Sequence, residues 1–163
     1  MDDKKRRLRT DYPFFLTYRT RWSDNDQYGH VNNAIYYHLF DAVVNTYLIG
    51  QCGMDPMKSK HVGLVVSSFC EFFSPVAFPD VLDLGLRVSR LGASSVTYEV
   101  GVFKSKASSE ESNEAPDTAC AVGGYTHVFV ESTSRRSTQM SGQLRSNLMK
   151  LARQSSAPAV PKL

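Results

Sequence analysis

Two periods of hydrophobic spacing divide the chain. From Phe14 to Trp22, Phe14, Leu16, Tyr18 and Trp22 fall on one face and Thr17, Arg19 and Arg21 on the other. That alternation predicts a half-buried strand. From Asn33 to Ile49 the pattern changes. Apolar residues cover most of a helical wheel, and His38, Asp41 and Asn45 form a single polar line at spacings of three and four. A helix apolar on nearly every side is expected to be buried. Asn32 or Asn33 is a suitable N-cap, and Gly50 and Gly53 mark the other end. Four more strand-like runs follow Pro56: Val62–Ser74, Val81–Leu91, Ser94–Lys104 and Thr118–Glu131. In the second, Leu82, Leu84, Leu86 and Val88 alternate with Asp83, Gly85, Arg87 and Ser89. "RLGASS" then reads as a tight hairpin connection. Ser141 to Arg153 fits a short amphipathic helix with Leu144, Leu148 and Leu151 on one side.

The order is strand, long helix, four long strands, short helix, an α+β arrangement. One flat sheet cannot cover such a helix on all sides, whereas a strongly curved antiparallel sheet wrapped around it can. That sheet keeps two edges, and pairing with a second copy is a natural way to cover one.

Composition bounds this picture. The 163 residues suit one domain with a sizeable core, and 42% hydrophobic residues argue against wholesale disorder. No run is long and apolar enough for a membrane span, and the N-terminus lacks the apolar stretch of a secretory signal. Cys52, Cys70 and Cys120 are odd in number and widely spaced, which favours free thiols over a disulfide framework or a zinc site. These features point to an intracellular, cytoplasmic protein. The C-terminal Pro161-Lys162-Leu163 is near the peroxisomal S-K-L address, with Pro161 in place of the small residue.

Charge is unevenly placed. Residues 1–10 carry five basic and two acidic residues, and 135–163 carry six basic and none acidic. The stretch between holds eight basic against fourteen acidic residues. Residues 1–12 are expected to form a disordered basic leader, 13–153 the domain, and 154–163 a tail. The acidic, Ser-rich stretch 105–117 is expected to be a mobile loop. Basic ends of this kind are either solvated tails or contacts for phosphate groups.

The chemistry concentrates in "DNDQYGHVNNAIYY", residues 24–37. As a calcium loop it fails, because Tyr28 and Ile35 stand at the fifth and twelfth positions. As a helix cap it accounts for one Asn and for Gly29 as the turn residue, with the two aspartates stabilised by the helix dipole. The third reading is a catalytic carboxylate beside a helix N-terminus. Free backbone N–H groups there can hold a developing oxyanion, and a nearby carboxylate can attack a carbonyl or activate water. A thiolate leaving group needs little acid assistance, so this pair suits thioester hydrolysis without a Ser–His–Asp constellation.

"DNDQYGHVNNAIYYHLFD" resembles the D-x-D-x-x-G-x-V-x-x-x-x-Y signature of hot-dog-fold acyl-CoA thioesterases of the 4-hydroxybenzoyl-CoA thioesterase type. "FFSPVAFPDVLDLGLRVSRLGASSVTYEV", residues 72–100, is similar to the same family, and the resemblance runs from about residue 12 to 152. It implies a hot-dog fold, with a curved five-stranded antiparallel sheet wrapped around one long central helix. It also implies a homodimer that often assembles further, and hydrolysis of an acyl-CoA to free acid and CoA. Asp26 inherits the family's catalytic carboxylate, Asn33 its carbonyl-binding amide, and Asp24 a mostly structural position. Gly29, His30, Asn32 and Tyr36 are expected to shape the substrate site. The hairpin lacks the basic cluster that some members use for CoA phosphates, leaving Arg90, or else Arg135 and Arg136 past the last strand. No resident cofactor is implied, coenzyme A entering as part of the substrate, and no nucleic-acid partner is expected. A non-catalytic hot-dog module binding acyl-CoA or a protein is the alternative. A hot-dog dehydratase is a further one, although "GHVNN" does not resemble its histidine loop.

Overall fold

The computed structural model describes residues 3–106 and 117–152. β1 (Phe14–Arg19) is followed by α1 (Asn33–Gly50), β2 (His61–Phe72), β3 (Val81–Leu91), β4 (Ser95–Lys104), β5 (Ala121–Glu131) and α2 (Gly142–Met149). The strands form one antiparallel sheet in the order β1-β3-β4-β5-β2, so β1 and β2 are its edges. The sheet wraps α1, and the fold is the hot-dog fold. The alternation of β3 gives its observed limits without error, and Leu82, Leu84 and Leu86 are fully buried. They pack in one core with Tyr36, Leu39, Phe40, Val43, Val44, Tyr47 and Leu48 of α1. α2 is capped by the Ser141 hydroxyl, which accepts the Leu144 N–H at 3.2 Å, and Leu144, Leu148 and Leu151 join the same core.

Three expectations change. β1 ends at Arg19, and Trp22 is not on its buried face. It lies in a single 3-10 turn, Trp22–Asp24, is 79% exposed, and meets Phe78 edge-on. α1 is not covered on nearly every side. Its outer face, with Tyr37, His38, Asp41, Asn45 and Ile49, is exposed, because one curved sheet reaches around only the inner side.

The third change concerns the basic leader, which is ordered from residue 3 and strapped across the outer face of the sheet. Tyr12 lies over Gly85 and Gly101, paired neighbours on β3 and β4. A Cβ at either glycine would come within 2.8 Å of the Tyr12 ring, so the seat exists only because both side chains are missing. The Tyr12 hydroxyl donates to Glu99 at 3.0 Å, and Arg7 and Arg87 donate to the same carboxylate at 2.8 and 2.9 Å. Lys4 pairs with Glu71 and Arg9 with Asp83. The leader's cations thus meet the acids of the body. The acidic loop read at 105–117 and the tail from 154 lie largely or wholly outside the described residues.

Candidate active site

Residues 20–32 join β1 to α1, and their hydrogen bonds fix where each polar group goes. Asp24 is 1% exposed. One carboxylate oxygen accepts the Arg21 N–H at 2.8 Å and the Tyr18 hydroxyl at 3.3 Å; the other accepts the Arg21 guanidinium at 3.1 and 2.9 Å. Both oxygens are engaged, so Asp24 holds the turn and has nothing left for a metal. Burial, then the Asp24 charge, raises the Tyr18 phenol above its ordinary value. Among the described residues no cluster of three His, Cys, Asp or Glu is placed to hold a metal ion.

Asp26 differs from it. It is half-buried, and one carboxylate oxygen accepts the Tyr28 N–H at 2.8 Å, the turn that a short acid favours. Its N–H donates to the His30 carbonyl at 2.8 Å and its carbonyl accepts the Gly29 N–H at 3.2 Å, closing a tight loop. Gly29 stands at φ +79°, the left-handed region that glycine adopts without steric cost. Val31 is buried and donates to the Val76 carbonyl, which pins the loop to the segment before β3.

Asn32 is the N-cap. Its side-chain oxygen accepts the Ala34 N–H at 2.9 Å, and its carbonyl accepts the Ile35 N–H at 2.9 Å. Of the first-turn donors this leaves the Asn33 N–H without a partner among the described residues. It is aligned with the positive end of an 18-residue helix.

A groove of about 290 Å³ opens at that helix start, lined by His30, Val31, Asn33 and Tyr36 and by Phe72 to Pro75 at the end of β2. Tyr36 meets Phe72 edge-on at 4.9 Å. Burial pushes the Tyr36 phenol up to about 12, so it stays a neutral donor. Asp26 sits one loop away from this groove and is not part of its lining in the single chain.

The structure therefore brings Asp26, Gly29, His30, Asn32, Asn33 and Tyr36 together in one loop and helix start. It leaves the three arginines elsewhere. Arg90 lies at the far end of β3 from Val81, the residue paired with Arg19 beside the loop. Arg135, at φ 59°, and Arg136 follow β5, next to the start of β2 and not its Phe72 end.

A second cavity, of about 360 Å³, was not legible from spacing. It lies between the outer half of α1 and the start of β2, lined by Asp41, Asn45, Val62, Gly63, Val65 and His127, among others. His127 is 6% exposed and its Nδ1 has no hydrogen-bond partner among the described residues. Burial pushes its pKa down to about 4, with Asp41 acting in the opposite direction. The only sequence signal was that Asp41 and Asn45 lie one turn apart on the polar line. Two of the thiols are chemically quiet: burial pushes Cys52 up to about 11 and Cys70 up to about 12.

Known proteins share this fold. The PA5185 protein of Pseudomonas aeruginosa strain PAO1 is 48% identical and superposes with a TM-score of 0.81, over 89% of this chain and 95% of that one. A 1,4-dihydroxy-2-naphthoyl-CoA thioesterase from Synechocystis shares the fold at 15% identity, with a TM-score of 0.70 over 85% and 96% of the two chains. A protein of Aquifex aeolicus (strain VF5) that carries a provisional esterase name is 26% identical over 95 residues, 56% of this chain and 73% of its own length. The model of the thioesterase superfamily matches residues 28–110, half of the chain, including Asn33 and all of α1. The family match, with the hot-dog sheet, shows that the chain belongs to the thioesterase superfamily.

Proposed function

We propose that this chain hydrolyses an acyl-CoA thioester to the free acid and CoA, with Asp26 and the Asn33 N–H as its catalytic groups. The observation that carries the reading is an Asn33 N–H on the groove that has no partner among the described residues, one loop from a carboxylate with one oxygen likewise unengaged among them. The thioester oxygen accepts the Asn33 N–H, and the helix dipole favours the negative charge that develops there. The Asp26 carboxylate takes a proton from water as the hydroxide adds to the carbonyl carbon. The C–S bond then breaks, and the proton passes to the departing thiolate. In the nucleophilic variant, Asp26 forms an acyl anhydride that water hydrolyses. The acyl group rests against Tyr36 and Phe72.

The active unit is a homodimer in this proposal. β2 is a long open edge with Leu64, Val65 and Val66 exposed, next to the exposed face of α1 with Tyr37 and Ile49. An uncovered apolar edge of this length invites pairing with a second copy.

Thiol release across short, long and aromatic acyl-CoAs tests the activity. Turnover of at least one supports hydrolysis. A tight acyl-CoA complex with no turnover supports the non-catalytic module instead.

A further inference from the structure

The loop that carries Asp26 is a small hairpin. Its outgoing arm, Asp24 to Asp26, meets its returning arm, His30 to Asn32, through backbone hydrogen bonds. The Asp26 N–H donates to the His30 carbonyl and the Asn32 N–H to the Asp24 carbonyl, each at 2.8 Å. These bonds close the hairpin on itself without fixing how its tip stands against the rest of the fold. The turn at 76–80, just before β3, supplies that reference. It is closed by its own bonds: the Asp80 N–H donates to the Ala77 carbonyl at 2.8 Å, and the Ala77 N–H to the Asp80 carboxylate at 3.0 Å. Thr20, buried at the root of the hairpin, donates to the Asp80 carbonyl from its N–H at 3.0 Å and from its hydroxyl at 2.8 Å. The Val31 N–H ties the returning arm to the Val76 carbonyl at 2.8 Å.

The outgoing arm is tied by a side chain. The Asn25 side-chain oxygen accepts the Phe78 N–H at 2.9 Å, and the side-chain amide donates to the Gly29 carbonyl at 3.4 Å. One carboxamide therefore joins the residue before Asp26, the turn, and the glycine that closes the tip. A carboxamide offers an acceptor and a donor together; the isosteric aspartate keeps only the acceptor, and alanine keeps neither. Asn25 is not among the residues that line the groove, so it acts on a bound thioester only through its neighbour. The bond that the Asp26 carboxylate accepts from the Tyr28 N–H lies within the tip and moves with it.

We propose that Asn25 is a positioning residue for Asp26: its tie to Phe78 sets the distance between the Asp26 carboxylate and the Asn33 N–H. This rests on the reading of Asp26 as the catalytic carboxylate. The turn at 76–80 then belongs to the site although it supplies no group to the groove. Misplacing a reacting group by about 1 Å costs about 10²-fold in rate, so a loosened hairpin acts on kcat before it acts on KM.

The test compares Asn25→Ala and Asn25→Asp with wild type, each checked by melting point. Asn25→Ala should lower kcat on an acyl-CoA by about 10- to 100-fold, with KM changed by less than about twofold. Asn25→Asp, which keeps the bond to Phe78, should recover part of that loss. Two backbone amides report the geometry without turnover when their hydrogen exchange is followed by NMR. The Phe78 amide reads the tie, and the Tyr28 amide reads the Asp26 carboxylate. Both should exchange about tenfold faster in Asn25→Ala, the worth of one hydrogen bond, and more slowly again in Asn25→Asp. Wild-type kcat in Asn25→Ala with the Phe78 amide released overturns the proposal, as does a loss of kcat that Asn25→Asp does not reduce. If wild type turns over no acyl-CoA, the thioesterase reading fails separately. The amides then decide alone: faster exchange at Tyr28 in Asn25→Ala supports the positioning of the carboxylate by Asn25, and unmoved exchange there overturns it.

Discussion

The carbonyl of Asp24 accepts the N–H of Asn32 at 2.8 Å, tying the buried end of the loop to the cap of α1. The turn held by Asp24 therefore sets where the helix begins, and with it where the Asn33 N–H points. Asp24→Asn keeps the shape of the side chain but weakens its charge-assisted bonds to Arg21. The variant should lose about 1–3 kcal/mol of stability in urea unfolding. Its acyl-CoA turnover should fall through a misplaced helix start, with the pH profile unchanged.

The Asn33 amide can be removed without changing the helix. Asn33 is the first helical residue, where proline is tolerated, and Asn32 at φ −59° and ψ 140° already has the conformation that precedes proline. Asn33→Pro should keep the far-ultraviolet spectrum and melting point close to wild type. Its kcat should fall by about 10²–10³, the cost of one oxyanion donor. Asn33→Ala, which keeps the N–H, should retain most of the turnover.

The strap depends on Glu99. Burial alone would raise the Glu99 carboxyl, but hydrogen bonds and charge from Arg7 and Arg87 outweigh it and hold the carboxyl below its usual range. This stability is present above the pKa of an unfolded glutamate and is lost as pH falls through the lower folded value. Glu99→Ala leaves two arginines at a buried position without their acid and should cost about 3–5 kcal/mol. Limited proteolysis should then cut within residues 3–12, which wild type protects.

Much of the fold was legible because it is local. The alternation of β3 and the cap at Asn32 place elements within a residue or two, and the leucine spacing places the start of α2, although that helix ends at Met149 and not at Arg153. The strap was not legible, because residues 4–11 have no period and their order rests on Glu99, 92 positions from Arg7. The outer face of α1 was misjudged because exposed hydrophobic residues such as Tyr37 and Ile49 look the same in sequence as core residues. Within the site, two aspartates two positions apart look alike in composition. Only the hydrogen bonds that take up both oxygens of Asp24, and one of Asp26, distinguish them. His127 and Asp41 lie on different elements, so no spacing rule links them.

His127 gives the fold a pH dependence of known sign. Its folded pKa of about 4 lies below the ordinary 6.5, so between these values the unfolded chain binds a proton that the folded one refuses. Stability should fall as pH drops from 6.5 towards 4, by up to about 3 kcal/mol. Urea midpoints at pH 7 and 5 should differ in wild type and differ less in His127→Phe.

Asp26 is proposed to supply the carboxylate of an acyl-CoA hydrolase. The most direct measurement is thiol release from an acyl-CoA that wild type turns over, by Asp26→Asn at the same concentration, with melting point and dimer mass checked. We predict a loss of about 10²–10⁴-fold in kcat with fold and dimer intact. Turnover close to wild type in that variant would contradict the account.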